Sequence, residues 1–304
     1  MAKNDEKTIL VTGATGTVGS EVVKQLVSSP SSSGYNIIRA AVHSQNKADR
    51  FRQYRGVEIV NMDYNKPETI ADALNHVNKL FLLTLPSPNM ADISSSLVKE
   101  AKKRNDLKHI VKLSVLEADA EPGTTIGRLH RQEEKIIEES GIPYTFLRSG
   151  AFMQNFVNFF GQTIKNESAF YLPAGDGRVS FVDVRDIAAV ATEILLTKSN
   201  GSQQQKNKAY DITGHDALSY SQAAEILSGG IGKKISYIDI GEEDARKGMK
   251  KMGMEDWLID AIMEFYYIIR TGHASRTTNA IEQITGRKPV SFEQFVRDYA
   301  SSFS

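Results

Sequence analysis

The sequence contains no cysteine. That absence excludes disulfides, thiol nucleophiles, thiolate zinc sites and cysteine-ligated iron–sulfur clusters. It also has no excess of either charge: 37 Lys+Arg stand against 37 Asp+Glu, a formal net charge of zero, which argues against direct binding to nucleic acid or to an anionic membrane surface. Long apolar runs are missing as well. The least charged stretch, Ser149 to Thr163, is interrupted by Gln154, Asn155, Asn158, Gly161 and Gln162, whereas a membrane span needs roughly 18 apolar residues. The charged opening Met1-Ala-Lys-Asn-Asp-Glu-Lys7 runs straight into a strand-like segment and does not resemble a secretory signal, so a cytoplasmic location is expected. The six histidines, at 43, 76, 109, 130, 215 and 273, show no metal-ligand spacing, and no metal is expected. A Gly-x-Ser-x-Gly nucleophile elbow is absent too, which leaves hydrolase chemistry without its usual agent.

What is present is an ordinary globular composition, 40% hydrophobic with 22 glycines in 304 residues, enough for one large domain or two small ones around a cleft. Short β-branched runs at Thr8–Thr12, Asn36–Val42, Val57–Asn61, Lys79–Thr84, His109–Ser114 and Tyr144–Arg148 alternate with helical patterns such as Val18, Val22, Val23, Leu26 and Val27. Strand–helix alternation predicts an α/β fold, a Rossmann-type doubly wound parallel sheet. Regularity weakens after Arg148. A strand at Val179–Val182, a helix at Asp186–Leu196 and a strand at Ala209–Thr213 are followed by mainly helical segments at Ser219–Leu227, Glu242–Met252, Glu255–Arg270 and Ser291–Ala300. The expected division is a dinucleotide-binding domain over 1–155, to which 178–215 returns, and a smaller substrate lobe made of 156–177 and 216–304.

The most specific signal is Thr8-Ile-Leu-Val-Thr-Gly13-Ala14-Thr15-Gly16-Thr17-Val18-Gly19, where the first strand passes into the first helix. Three glycines at this spacing give an abrupt turn, room for a pyrophosphate against the backbone, and close packing of helix on sheet. The amides of Thr15 to Val18 and the helix dipole then attract phosphate. A strand–turn–helix that merely turns tightly would also use such glycines, but the position in the first crossover favours a dinucleotide. At the end of the second strand, Ala40-Ala-Val-His43-Ser-Gln-Asn-Lys47 offers no acid until Asp49. An adenosine ribose with a free 2′-OH is usually met there by Asp or Glu, and a 2′-phosphate by cations. NADP(H) is therefore expected over NAD(H), with His43 and Lys47 as candidate phosphate partners.

The turn Thr12–Gly19, the segment Asn61-Met-Asp63-Tyr, the loop Leu82-Leu83-Thr84-Leu-Pro86, the stretch His130 to Arg148, Phe152-Met-Gln-Asn155, Phe181 to Ala188 and Tyr210-Asp-Ile-Thr-Gly214 together resemble the NmrA-like branch of the atypical short-chain dehydrogenases. The resemblance spans about residues 8 to 215. That branch includes NAD(P)H quinone oxidoreductases, azoreductase-like proteins, isoflavone-reductase-like enzymes and a non-catalytic dinucleotide-sensing regulator. The resemblance implies that Asp63 accepts from the adenine amino group and that Leu83, Thr84 and Pro86 line the path to the nicotinamide ribose.

Typical short-chain dehydrogenases carry Tyr-x-x-x-Lys on one helix face. None of the 11 tyrosines stands in that pattern. Counting back from Gly141, the Lys position falls on His130 and the Tyr position on Ile126, and an isoleucine cannot exchange a proton. His130 becomes the catalytic candidate, either binding ribose hydroxyls or donating a proton to product, with a simply packed histidine as the alternative. Glu134, one turn on, is expected to be a solvated helix charge. Lys112 and Ser114 fall at the end of the fifth strand, where the resembled superfamily often keeps a catalytic Ser or Thr; Ser114 is a candidate donor to a substrate oxygen, with a strand-end residue bonding the backbone as the alternative. Phe152, Met153, Phe156, Phe159 and Phe160 could line a site for a flat ring, though such a stripe is more often ordinary core; the resemblance implies substrate contact for Phe152 and Met153 only. The basic cluster Lys99–Lys108 reads as a helix end whose cations complement the dipole. These features point to NAD(P)H-dependent hydride transfer to a small, planar acceptor such as a quinone or azo compound, held between sheet and lobe. The competing expectations are a dinucleotide sensor without turnover and a reductase of an activated C=C or imine bond. A homodimer or a regulatory protein partner is compatible with either.

Overall fold

A computed structural model describes residues 7–29, 35, 37–44, 48–197 and 205–303. In chain order its elements are β1 (Thr8–Val11), α1 (Thr17–Ser28), β2 (Ile37–Val42), β3 (Val57–Asn61), α2 (Pro67–Ala73), β4 (Val77–Leu82), α3 (Met90–Arg104), β5 (His109–Val115), α4 (Thr125–Ser140) and β6 (Tyr144–Ser149). After these come α5 (Asn155–Asn158), α6 (Gly161–Glu167), β7 (Ala169–Leu172), β8 (Arg178–Val179), α7 (Val184–Leu196), β9 (Lys208–Ile212), β10 (Leu218–Ser219), α8 (Tyr220–Ile231), β11 (Ser236–Asp239), α9 (Glu242–Lys251), α10 (Asp256–Arg270), α11 (Ala280–Thr285) and α12 (Phe292–Tyr299). None of the described helices is long and apolar enough to cross a membrane.

Seven strands form one sheet in the order β3-β2-β1-β4-β5-β6-β9. The pairs β1·β2, β1·β4, β2·β3 and β4·β5 all run parallel, the doubly wound arrangement expected from the alternation. The strand order changes direction between β1 and β4, the switch point at whose carboxyl ends a doubly wound sheet takes its ligand. β1 is buried along its length, as a strand covered on both faces must be. α1 buries Val18, Val22, Val23 and Leu26 of the stripe read from its sequence, and leaves Val27 partly buried. α3 ends on Asn105 in the left-handed region (φ 57°), with Lys102, Lys103 and Arg104 in its last turn, so the basic cluster does complement a helix dipole.

The chain divides into two compact units, 1–119 with 127–148 and 187–210, and 120–126 with 149–186 and 211–304. The first break falls after Asp119, and 149–155, 178–186 and 211–215 group with the second unit. In the second unit β7 pairs with β11 in parallel and β8 with β10 in antiparallel fashion. Its core centres on Phe156, whose ring lies 5.0 to 6.0 Å from those of Phe160, Phe170, Phe181, Tyr220 and Phe292. Phe156 is core as expected, and Phe160 packs against the same cluster. Phe159 is 60% exposed, contrary to the expectation of core. A capping box at Ser219 and Gln222 starts α8, and Ser291 caps α12 by accepting from the Gln294 amide.

Candidate active site

β1 leaves the sheet through Thr12, whose hydroxyl accepts the Leu83 N–H at 2.8 Å while its own N–H reaches Phe81 O at 3.0 Å. The end of β1 is thereby tied to the end of β4. Gly13 follows with φ +59°, and a Cβ there would lie 2.9 Å from Leu83 Cδ2. At Gly19 a Cβ would fall 2.2 Å from Gly13 O, so helix and turn touch backbone to backbone. Gly16 differs: a Cβ would meet nothing nearer than Gly13 O at 3.3 Å, and the residue is exposed. It caps α1 in extended conformation, and α1 has neither a capping side chain nor an acid in its first turn. Its N-terminus is a cradle with no carboxylate of its own to compete with an anion. One expectation needs correction, because the Gly16 N–H turns inward onto Gly13 O at 2.9 Å. Ala14 is fully buried, Thr15 partly so, and Thr17 is exposed.

The other predicted dinucleotide residues follow the carboxyl ends of neighbouring strands. His43, just past β2, is exposed and lies 3.7 Å from Asp63 Oδ2. Asp63, just past β3, accepts the Asn65 N–H at 2.9 Å in a local turn. Tyr64 donates to Leu83 O at 3.2 Å; burial pushes its phenol up to about 12, so it exchanges no proton near neutrality. Pro86 is exposed. Lys47 lies outside the described residues. The sequence reading missed Arg50, whose guanidinium donates to Thr15 O and so brings a cation against the glycine-rich turn.

Beneath these loops the first unit holds two buried ionic networks. In the inner one, Lys112 on β5 is 0% exposed. Its Nζ lies 2.8 Å from Glu133 Oε2, 3.2 Å from His130 Nδ1 and 3.0 Å from Leu113 O. Glu133 also accepts from Thr84 Oγ1 at 2.8 Å and Ser94 Oγ at 2.5 Å. His130 is 5% exposed. Burial, reinforced by the Lys112 charge, holds its pKa well below 6.5, so the ring is a neutral imidazole at physiological pH. An imidazolium acting as proton donor does not fit this geometry; a hydrogen-bond donor does.

In the outer network Ser114 Oγ donates to Glu134 Oε1 at 2.7 Å, and Arg148 grips Glu134 through Nε at 3.0 Å and Nη2 at 2.7 Å. Arg131 joins at 3.1 Å and Asp119 holds the far side of Arg148 at 2.6 Å. Two expectations change here. Glu134 is fully buried and not solvated, because three neighbouring donors satisfy it. Ser114 has given its single hydroxyl hydrogen to Glu134, so in this arrangement it has none to donate to a substrate oxygen. Thr84 has likewise committed its hydrogen to Glu133.

Of the two predicted substrate residues, both in the second unit, Phe152 is half-buried and bridges to Val182. Met153 is buried, and lines a small cleft with Phe181, Leu218 and Phe292, rimmed by His215 and Asp216.

The NmrA-like family model matches residues 5–295. The chain belongs to the NmrA-like family. It is 34% identical over 295 residues, 97% of this chain and 99% of the other, to the NAD(P)H azoreductase of Xenophilus azovorans. Among solved structures it is similar to the triphenylmethane reductase of Citrobacter sp., with 27% identity, a TM-score of 0.81 and coverage of 97% of this chain and 99% of that one. It is similar also to the NADPH-dependent quinone oxidoreductase QOR2 of Escherichia coli complexed with NADPH, with 26% identity, a TM-score of 0.81 and coverage of 95% and 99%.

Proposed function

We propose that this family member is an NAD(P)H-dependent oxidoreductase that reduces small, planar, electron-poor acceptors of the quinone or azo class. One observation carries the reading. At the carboxyl ends of the parallel strands, a helix start with a glycine N-cap, no side-chain cap and no acid in its first turn, framed by Gly13, Gly16 and Gly19, shares the first unit with a buried imidazole held neutral, while Ile126 stands four residues before that imidazole on α4. When bound, NAD(P)H supplies the hydride. The chain supplies the grip: the start of α1, from Ala14 to Val18, receives the pyrophosphate, and Gly16 leaves the room a side chain would fill. Asp63 accepts from the adenine amino group, and Leu83, Thr84 and Pro86 border the nicotinamide ribose. His43 and Arg50 favour a 2′-phosphate, hence NADPH over NADH. His130 donates a hydrogen bond to a ribose hydroxyl or to the negative charge developing on the reduced acceptor. Ile126 cannot protonate an alkoxide, which selects acceptors whose reduced form is a stabilised anion that water can protonate. A cytoplasmic location belongs to the same reading. The test is loss of NADPH absorbance with a panel of quinones, azo dyes and simple ketones. Oxidation dependent on the first two classes and not on ketones is expected; none with any acceptor would overturn the proposal.

A further inference from the structure

A lysine inside a parallel strand is costly, since such strands are covered on both faces and an unpaired charge there loses its hydration. Lys112 occurs in His109-Ile-Val-Lys112-Leu-Ser-Val115 and is fully buried. Its ammonium has three N–H bonds and three acceptors: Glu133 Oε2 at 2.8 Å, Leu113 O at 3.0 Å and His130 Nδ1 at 3.2 Å. An ammonium has no lone pair. The contact with His130 therefore has one polarity, with Nζ donating and Nδ1 accepting, and the imidazole proton must reside on Nε2. Glu133 is the ionic partner of that ammonium, and its 2.8 Å contact with Nζ fixes where the remaining N–H bonds of Lys112 point, one of them at Nδ1. Thr84 at 2.8 Å and Ser94 at 2.5 Å hold Glu133 in place, while its own 3.8 Å separation from Nδ1 is too long for a hydrogen bond.

We infer that Lys112 and Glu133 are positioning residues whose ion pair locks His130 as the neutral, Nε2-protonated tautomer and so fixes which edge of the ring can donate. The catalytic value of the lock rests on the function proposed for His130; the lock itself does not. Its direct reading is the ¹⁵N NMR spectrum of the full chain labelled at histidine. The expected pattern for His130 is an unprotonated, acceptor-type Nδ1 and a protonated Nε2, unchanged between about pH 6 and about pH 8. Because a single substitution strands a buried ion and can unfold the chain, the informative variant is K112M/E133Q, which removes both charges together. In that variant the two tautomers should interconvert, and kcat for a quinone should fall about tenfold with KM for NADPH held within about twofold. An Nδ1-protonated or doubly protonated ring in the parent, or an unchanged tautomer in the folded double variant, would overturn the inference. Lack of turnover with every acceptor would count against the proposed function, whereas the NMR pattern decides the lock.

Discussion

Asp186 shows how a single residue can carry a pH dependence of its own. Its carboxyl is 0% exposed, Oδ2 accepts the Val290 N–H at 2.7 Å, and Oδ1 has no hydrogen-bond partner among the described residues. Burial foremost, and the neighbouring Asp183 charge, push its pKa from 3.8 up to about 6. The folded chain then binds a proton that the unfolded chain releases between about pH 4 and about pH 6, so this contribution is full below the lower value and is lost as pH rises through the upper. The loss amounts to about 3 kcal/mol for a shift of roughly two units. Asp186→Asn should flatten the fall in unfolding free energy across that window, measured by urea denaturation at stepped pH. At the cofactor end, Arg50→Ala should raise KM for NADPH about tenfold and leave KM for NADH within about twofold, if the guanidinium meets a 2′-phosphate. Individual residues were unevenly legible in the sequence. Gly13 and Gly19 act through backbone contact at fixed spacing and could be read directly. Glu133, Glu134 and Lys112 could not, because their burial depends on partners 14 to 49 residues away in the chain; a lysine amid strand residues was the one local hint that a buried partner was needed.

Elements divide by whether their pattern is self-contained. The expected strand at Val57–Asn61 coincides with β3, and the helix at Glu255–Arg270 with α10 to within one residue, since each shows its period within its own span. β4 runs Val77–Leu82 and not Lys79–Thr84. Thr84 leaves the strand for the loop, where its hydroxyl bonds Glu133. The expected strand Val179–Val182 shrinks to Arg178–Val179. β7 and β11 went unread because each is four residues long and finds its partner more than sixty residues away. Two glycines of the first turn separate folding from binding at this scale. Gly19→Ala puts a Cβ 2.2 Å from Gly13 O and should cost about 1–3 kcal/mol of stability. Gly16→Val replaces an N-cap glycine without a backbone clash and should cost no more than about 1 kcal/mol by urea denaturation, while weakening NADPH at least about a hundredfold by calorimetry. In the second unit, Phe156→Ala removes the ring shared by five aromatic neighbours and should destabilise by about 3–5 kcal/mol, read from the denaturant midpoint.

For the whole molecule, strand–helix alternation revealed the doubly wound sheet but not which unit each later segment joins. Residues 149–155 look like a continuation of the nucleotide-binding half, yet Gly150 bonds Ile212 O at 2.9 Å, Phe152 bridges to Val182, and Phe156 enters the aromatic core. Allegiance of this kind is set by long-range packing, which no local period encodes. Family membership and the glycine-framed helix start converge on one claim, that the molecule moves a hydride from NAD(P)H to an electron-poor planar acceptor. The most direct measurement is a single turnover in which the chain, with NADPH deuterated at the transferred position of nicotinamide C4, is mixed with a quinone or azo dye. The account predicts acceptor reduction in step with NADPH loss and slowed by deuterium. Acceptor left unreduced, or reduced at a rate that neither NADPH nor its deuteration affects, would contradict it.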